Sequence, residues 1–299
     1  MSDWTPPAVA PQDALLPSES KPARRVLRRG NGLLSLVAGA LLVGCALAVC
    51  MLSLVWTPCD PYAMDLANRF APPSTVHLLG TDQFGRDILS RTMAASQPAL
   101  AVGLGSVALG TVVGTLLGLL AGMGGRPVRA VIMRAIDGLM AFPGILLAMV
   151  LVLVLGRGLV SVLVAVAVFM VPTFARLVCQ TTLELRGSLY IKAARSFGSG
   201  PVRIAVGHVL PNVAPLLITQ FTASAGAAML LEASLSFLGF GVQPPAASWG
   251  YMLSEALPYV FTYPSVAIAP GVALMLTVLG FNLLGDGLND RLVQRGVRR

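Results

Sequence analysis

Three acidic residues stand next to long uncharged stretches of the sequence, where an ionisable side chain is costly unless it is paired or functional. Asp137 follows Arg134 by three residues, so a helix would place the two on one face as a local ion pair, the interpretation we favour. Glu232 stands alone within Met-Leu-Leu-Glu-Ala and either lines a pathway or satisfies backbone groups in the loop that follows it. Asp286 ends another uncharged stretch. We expect charge pairing or pathway contacts from these acids, and no catalytic residue.

Patterns for nucleotide or metal binding do not occur in the sequence. A P-loop carries Gly-Lys followed by Ser or Thr, whereas the two lysines here precede Pro22 and Ala193. The two histidines, His77 and His208, fall in segments that we expect on opposite faces of a membrane, and there is no Cys-x-x-Cys pair. The cysteines at positions 45, 50, 59 and 179 are interpreted as small hydrophobic residues without a disulfide framework. We expect this chain to bind no metal and no cofactor.

The composition is that of a membrane protein. Hydrophobic residues make up 56% of the 299 residues, and the mean hydropathy is +0.79, outside the range of soluble domains. A spanning helix needs about 20 apolar residues without central charges. Six stretches qualify: Gly30 to Cys59, Ser96 to Gly125, Gly138 to Gly156, Gly158 to Ala175, the stretch between Arg203 and Glu232, and the stretch between Glu255 and Asp286. The sequence predicts an all-α integral membrane protein with about six transmembrane helices.

One further uncharged run, from Ala233 to Ser254, differs from these six. It contains Gly239, Gly241, Pro244 and Pro245, which interrupt a helix. We predict a re-entrant or interfacial loop that packs on protein rather than a span exposed to lipid.

The distribution of basic residues predicts the orientation. Lysine and arginine are retained on the cytoplasmic side of a membrane, and six spans with both termini inside leave only four of the 21 basic residues outside: Arg69, Arg86, Arg91 and Arg157. The same asymmetry accounts for the net charge of +8 and makes nucleic-acid binding an unnecessary explanation. We expect a multi-pass protein of the bacterial inner membrane, with membrane lipid around it.

The segment before the first span is predicted to be a disordered cytoplasmic tail, residues 1–30, that ends in the basic run Lys21 to Arg29. Ala46-Leu47-Ala48 is similar to a signal-peptide cleavage site, but the apolar run continues to Val55, beyond the roughly 7–15 residues of a signal core. We therefore favour an uncleaved anchor over a cleaved signal peptide.

Glycines at four-residue intervals mark the second span: Gly110, Gly114, Gly118 and Gly122. Such a stripe lets another helix approach closely. We favour a helix contact within the chain over a translocation or subunit interface, which would use the same packing.

A short amphipathic helix is predicted in the loop between the fourth and fifth spans. Its apolar face would carry Tyr190, Ala193, Ala194 and Phe197, with Lys192, Arg195 and Ser199 elsewhere, and Gly198 and Gly200-Pro201 would end it. Small residues beside two aromatics suit a socket on another protein better than a lipid surface.

This loop resembles the signature loop of ABC-importer permeases. The pattern is Glu-Ala-Ala, three residues, Gly, nine residues, Ile-x-Leu-Pro, and here Lys192-Ala193-Ala194, Gly198 and His208-Val209-Leu210-Pro211 occupy it. Lys192 stands for the glutamate and His208 for the isoleucine, so a salt bridge of the family at the first position is not carried over.

Three more blocks are similar to permeases for dipeptides, oligopeptides and nickel. They are Leu79-Gly80-Thr81-Asp82-Gln83-Phe84-Gly85-Arg86-Asp87-Ile88-Leu89-Ser90-Arg91; the run Ser234 to Pro245 with Ser248-Trp249-Gly250; and Phe281-Asn282-Leu283-Leu284-Gly285-Asp286-Gly287-Leu288. The resemblance covers nearly all of the chain after its tail.

What the resemblance implies is the transmembrane domain of a type I ABC importer. Its partners would be a second homologous permease, two ATP-binding subunits that hold ATP and Mg, and an external substrate-binding protein. Residues 31–96 would form the first helix and an external segment, 97–286 the transporter domain with a cytoplasmic coupling loop at 180–212, and 287–299 a basic cytoplasmic tail. Gly198 and Pro211 would keep the coupling helix rigid while alternating access imports the cargo.

The resemblance leaves the cargo open. Di- or oligopeptides are the interpretation we favour, with nickel complexes or glutathione-like compounds as alternatives in the same machine. A secondary transporter is an alternative of another class, but it would need coupling acids in mid-membrane, and the acids here lie near the ends of the spans.

Overall fold

The computed structural model describes residues 31–297, and this part of the chain contains helices and loops and no β-strand. The helices are α1 (Asn31–Ser53), α2 (Ile88–Ala94), α3 (Ser96–Met123), α4 (Arg126–Met140), α5 (Gly144–Leu155), α6 (Leu159–Arg186), α7 (Leu189–Ser196), α8 (Pro201–Ile204), α9 (Leu210–Phe237), α10 (Trp249–Ala256) and α11 (Ser265–Val297). A π-helical turn, Ala205–Val209, joins α8 to α9. The predicted tail at 1–30 lies outside the described residues.

Five helical segments are long and apolar enough to cross a membrane: α1, α2 with α3, α6, the continuous run from α8 to α9, and α11. The remaining predicted span, Gly138 to Gly156, which is third in chain order, is not one straight helix. It breaks between α4 and α5, whose axes differ by 93°, because Pro143 has no amide hydrogen and disfavours a helical conformation in the residue before it.

The packing of α3 against α6 shows that α4 and α5 nevertheless return the chain across the bundle. Along the contact, Gly110 lies against Met170, and Gly122 lies against Thr182, so the two helices run in the same direction. A chain that crosses twice in one direction must cross back in between, and α5 is the apolar helix available. Its 12 residues span about 18 Å, so the flanking loops complete the crossing.

The glycine stripe of α3 is the contact surface for α6. A Cβ atom added at Gly114 would lie 2.6 Å from Phe174 Cβ, and one at Gly118 would lie 2.7 Å from Val178 Cβ. Real carbon atoms pack at about 3.5–4.0 Å, so only glycine allows this approach. The stripe therefore packs on a helix of the same chain.

Helix α1 packs antiparallel on α11 as an integral part of the bundle. Gly280 of α11 lies against Leu42 and Val43, and Gly287 lies against Leu36. Helix α11 also continues through the segment predicted as a C-terminal tail, since it is helical as far as Val297.

The uncharged run after Glu232 packs on protein, as predicted. Its first residues extend α9 to Phe237, a loop follows, and α10 begins at Trp249. The Trp249 indole is buried and donates a 2.9 Å hydrogen bond to the carbonyl of Thr92. This contact fixes α10 on the start of the α2–α3 helix pair.

Candidate functional site

The loop between α6 and α9 closes one end of the bundle. The Arg186 guanidinium at the end of α6 donates 2.6 Å and 3.2 Å hydrogen bonds to the carbonyls of Gly122 and Gly124 at the end of α3. The start of the loop is therefore held against the end of α3. Helix α11 packs antiparallel on α9, and α1 packs antiparallel on α11. The end of α11 and the start of α1 therefore lie at the same end of the bundle as the start of α9.

One side chain anchors α7 to the helical bundle. Ile191 is 0% exposed and packs in a cluster with Ile204 and Val209 of the same loop and with Val178 and Val213 of the spans. Burying one such side chain contributes about 1.5–3 kcal/mol. The sequence pattern missed Ile191, because it stands off the apolar face that we predicted.

The turn at Gly198 ends α7 in a defined direction. Gly198 has φ of +81°, its amide donates to the carbonyl of Arg195, and the amide of Ser199 donates to the carbonyl of Ala194. These two bonds are those of a Schellman motif, whose left-handed position favours glycine. The backbone conformation, and not a lack of space, is what favours glycine here, because no atom lies within 4 Å of a Cβ placed at Gly198.

The loop carries several exposed apolar side chains. Leu189 is 83% exposed and Phe197, directly before the turn, is 90% exposed. We call this set of residues the docking surface and define it by Leu189, Tyr190, Ala193, Phe197, Val202 and Val206, all of which are exposed. It includes three of the four predicted face residues; the fourth, Ala194, is half-buried, and Lys192 is exposed beside it.

The Leu210-Pro211 pair lies inside a continuous helical run rather than at a break. Pro211 has no amide hydrogen for the carbonyl four residues earlier, and the chain passes this point through the π-helical turn. The Asn212 side chain donates a 2.6 Å hydrogen bond to the carbonyl of His208 within this turn. Leu210 is half-buried.

One of the three singled-out acids has a partner other than the one expected. Asp137 of α4 accepts a hydrogen bond from Arg176 of α6, so its ion pair joins two helices and the predicted pairing with Arg134 is wrong. Asp286 is exposed on α11, and no role for it is tested by the structure.

Glu232 is fully buried near the end of α9, with 0% exposure. One carboxylate oxygen, Oε1, accepts hydrogen bonds from Ser236 at 2.7 Å and from Ser248 at 3.2 Å, whereas Oε2 has no partner. Because Ser248 caps α10, Glu232 ties α9 to the loop after it through side chains. Its observed partners are side-chain hydroxyls rather than backbone groups of the loop, and both interpretations of Glu232 stay predictions.

The opposite end of the bundle holds a buried ion cluster. Arg86 donates to Asp82 at 2.6 Å, and both Arg86 and Arg91 donate to Glu255 of α10, at 3.0 Å and 3.1 Å. The cluster joins the segment between α1 and α2, called here the α1–α2 segment (residues 54–87), to α10. Two of the four arginines predicted outside are thus neutralised, and Arg86 has a structural role.

Asp87 is the N-cap of α2 and lies beside His77 and Cys59. Its Oδ2 accepts from the amide and hydroxyl of Ser90, and its Oδ1 lies 3.0 Å from Nδ1 of His77. Burial, and then the negative charge of Asp87, raise the pKa of the Cys59 thiol. The spacing of histidine and cysteine alone does not reveal this group, because its third member is a carboxylate from another part of the chain.

Comparison with known proteins identifies relatives over most of the chain. The family described as "Binding-protein-dependent transport system inner membrane component" matches residues 114–298. A glutathione transport system permease protein of Pectobacterium atrosepticum is 48% identical over 74% of this chain and 73% of that protein. A probable D,D-dipeptide transport system permease protein of Escherichia coli K12 is 40% identical over 78% of each chain.

A solved structure shares the fold. An inward-facing conformation of the MetNI methionine ABC transporter matches with a TM-score of 0.52 and 23% identity, over 66% of this chain and 92% of that chain. At this identity the likeness concerns the fold alone, which is the transmembrane domain of a type I ABC importer.

Proposed function

The chain belongs to the family of binding-protein-dependent transport inner-membrane components, and from this premise we propose that it moves small peptides inward as one permease subunit of an ATP-driven complex. The family membership confirms the permease predicted from the loop signature. The observation that carries the coupling role is the docking surface, because it combines exposed apolar side chains with a rigid attachment to the bundle.

The docking surface would seat in a groove of an ATP-binding subunit. A monomer does not gain from exposing Leu189 and Phe197, whereas a partner that covers them gains the free energy of apolar burial. The buried anchor Ile191 would transmit a displacement of α7 to α6 and α9, and so rock the bundle as a rigid body. ATP and Mg would be held by two such subunits, and this end of the bundle would face the cytoplasm.

Further partners follow from the same premise. A second homologous permease would pair with this one, membrane lipid would cover the remaining apolar helix faces, and an external substrate-binding protein would approach the α1–α2 segment. Both termini would then lie in the cytoplasm, because α1 begins and α11 ends at the end of the bundle that carries the docking surface.

Small peptides are the cargo class that the relatives support. Glutathione is itself a tripeptide, and the glutathione and D,D-dipeptide permeases are 48% and 40% identical to this chain. Cells that lack their own importers and express the complete complex should take up labelled glutathione or a labelled D,D-dipeptide in an energy-dependent way. If neither enters while the chain still recovers its ATP-binding subunits, the cargo proposal is wrong and the importer assignment stands.

The coupling role has a test of its own. Valine at Gly198 must adopt a left-handed conformation that costs about 1–2 kcal/mol, whereas valine at Gly200 takes up an extended conformation with φ of −68° and nothing within 4 Å of its Cβ. We expect Gly198→Val to lower the recovery of ATP-binding subunits by the tagged chain, and Gly200→Val to lower it much less. Equal recovery by both variants and the wild type would remove the coupling role from this turn.

A further inference from the structure

The α1–α2 segment brings three different metal-ligand side chains together. The ligand atoms of Cys59, His77 and Asp87 all lie within 4.8 Å of one another. They come from three places in the chain: the exit from α1, the middle of the segment, and the start of α2. The loop that carries the docking surface contributes nothing to this group, so it is independent of the coupling role.

We propose that Cys59, His77 and Asp87 bind one divalent transition-metal ion of the Zn²⁺ class. Thiolate, imidazole and carboxylate are the ligand types of zinc sites, with metal–ligand distances of about 2.0–2.3 Å. Ligands around such an ion stand roughly 3.3–3.8 Å apart in a tetrahedron with these distances. His77 Nδ1 and Asp87 Oδ1 already lie 3.0 Å apart, and a pair at the 4.8 Å limit would need to close by about 1.0–1.5 Å.

The charge of the site matches that of the ion. Deprotonated Cys59 and Asp87 together carry two negative charges, and binding releases the Cys59 proton to solvent. The soft thiolate selects against Mg²⁺ and Ca²⁺, which prefer oxygen ligands. Three protein ligands also leave a fourth position for water.

Hydrogen bonds hold two of the ligands in place before any ion arrives. The Ser90 hydroxyl accepts from the amide of Cys59 at 2.9 Å and donates to Oδ2 of Asp87 at 2.6 Å, which leaves Oδ1 facing His77. The His77 backbone is fixed in turn, because its amide donates to the hydroxyl of Ser74 and its carbonyl accepts from the amides of Ser74 and Gly80. Partners of this kind orient metal ligands in known sites.

The site is reachable from solvent on one side. The His77 side chain is 22% exposed and Cys59 is half-buried, whereas the Asp87 side chain is only 1% exposed. An ion can therefore enter past His77 and Cys59 and reach the buried carboxylate. Once bound, it would cross-link the end of α1 to the start of α2 and brace the α1–α2 segment.

Cobalt gives a direct readout on the purified full-length chain in detergent micelles. Wild type should bind one Co²⁺ with the absorption of a thiolate–cobalt bond, and Zn²⁺ should displace it. Cys59→Ser should lose that absorption and His77→Gln should weaken binding at least tenfold, whereas Cys45→Ser, a thiol variant within α1, should behave as wild type. Ser90→Ala should weaken binding by about 10–100-fold, as is usual for residues that orient ligands.

A second measurement avoids any variant that fails to fold. Alkylation of Cys59 in the wild-type chain, followed by peptide mass spectrometry, should slow when Zn²⁺ is added and recover with a chelator, while alkylation of Cys45 stays unchanged. Cobalt binding that persists in Cys59→Ser, or an alkylation rate of Cys59 that Zn²⁺ does not alter, would overturn the site and leave His77 and Asp87 as a hydrogen-bonded pair.

Discussion

The variant Gly114→Ala tests whether the glycine stripe holds the bundle of a single chain together. The added Cβ would lie 2.6 Å from Phe174 Cβ, 2.8 Å from the carbonyl oxygen of Val171 and 3.0 Å from the amide nitrogen of Ala175. None of these atoms can rotate away, since each belongs to the backbone or is attached directly to it. Helices α3 and α6 must therefore separate by about 1 Å to restore normal contact distances.

The cost follows from two opposing contributions. Overpacking of a closely packed contact costs about 1–3 kcal/mol, and the better helix propensity of alanine returns up to about 1 kcal/mol. Because the clash involves rigid atoms along a long contact, we expect the upper part of the first range and a net destabilisation of about 1–2 kcal/mol.

The assay is unfolding of the purified chain in mixed micelles with increasing SDS, followed by tryptophan fluorescence. Gly44→Ala is the matched control, because Gly44 lies in the middle of α1 with no atom within 4 Å of its Cβ, and it should leave the midpoint unchanged or raise it. If Gly114→Ala unfolds with the control, the reasoning fails. A loss of the second permease without any loss of stability would assign the stripe to a subunit interface instead.

Three further outcomes are expected. Phe197→Ser should leave the unfolding midpoint unchanged, because the side chain is 90% exposed, and should reduce co-purification of ATP-binding subunits. Arg91→Ala should destabilise by about 3–5 kcal/mol, because it removes one partner from a buried ion cluster, whereas Arg157→Ala, at an exposed arginine, should have little effect on the SDS midpoint. Glu232→Gln should keep energy-dependent uptake, because the amide oxygen can still accept from Ser236 and Ser248; loss of uptake with an unchanged midpoint would favour the pathway interpretation.

The broken third span shows how far hydropathy alone reaches. A window without charges from Gly138 to Gly156 looks continuous, and hydropathy does not register that Pro143 redirects the chain. The 93° bend separates α4 from α5 and leaves α5 as the apolar helix available for the crossing. The direction of α3 and α6, rather than the length of an apolar helix, identified the sixth crossing. Because these two helices run parallel, the chain must cross back between them.

The loop that carries the docking surface was predictable in part. Its helix, its turn glycine and most of its apolar face follow from periodicity and the loop signature, which depend on local sequence. The buried anchor Ile191 and the exposed Val202 and Val206 do not, because their burial depends on α6 and α9, which lie on either side of the loop.

The sequence by itself determined the membrane class, the approximate number of apolar spans and the family. These follow from apolar runs of fixed length, charge asymmetry and motifs, all of which act along the chain. Only the tertiary structure decided which polar groups meet. Asp137 pairs with Arg176, Arg91 with Glu255, and Cys59 with His77 and Asp87, because contacts between distant segments depend on how helices pack, and no local pattern encodes that.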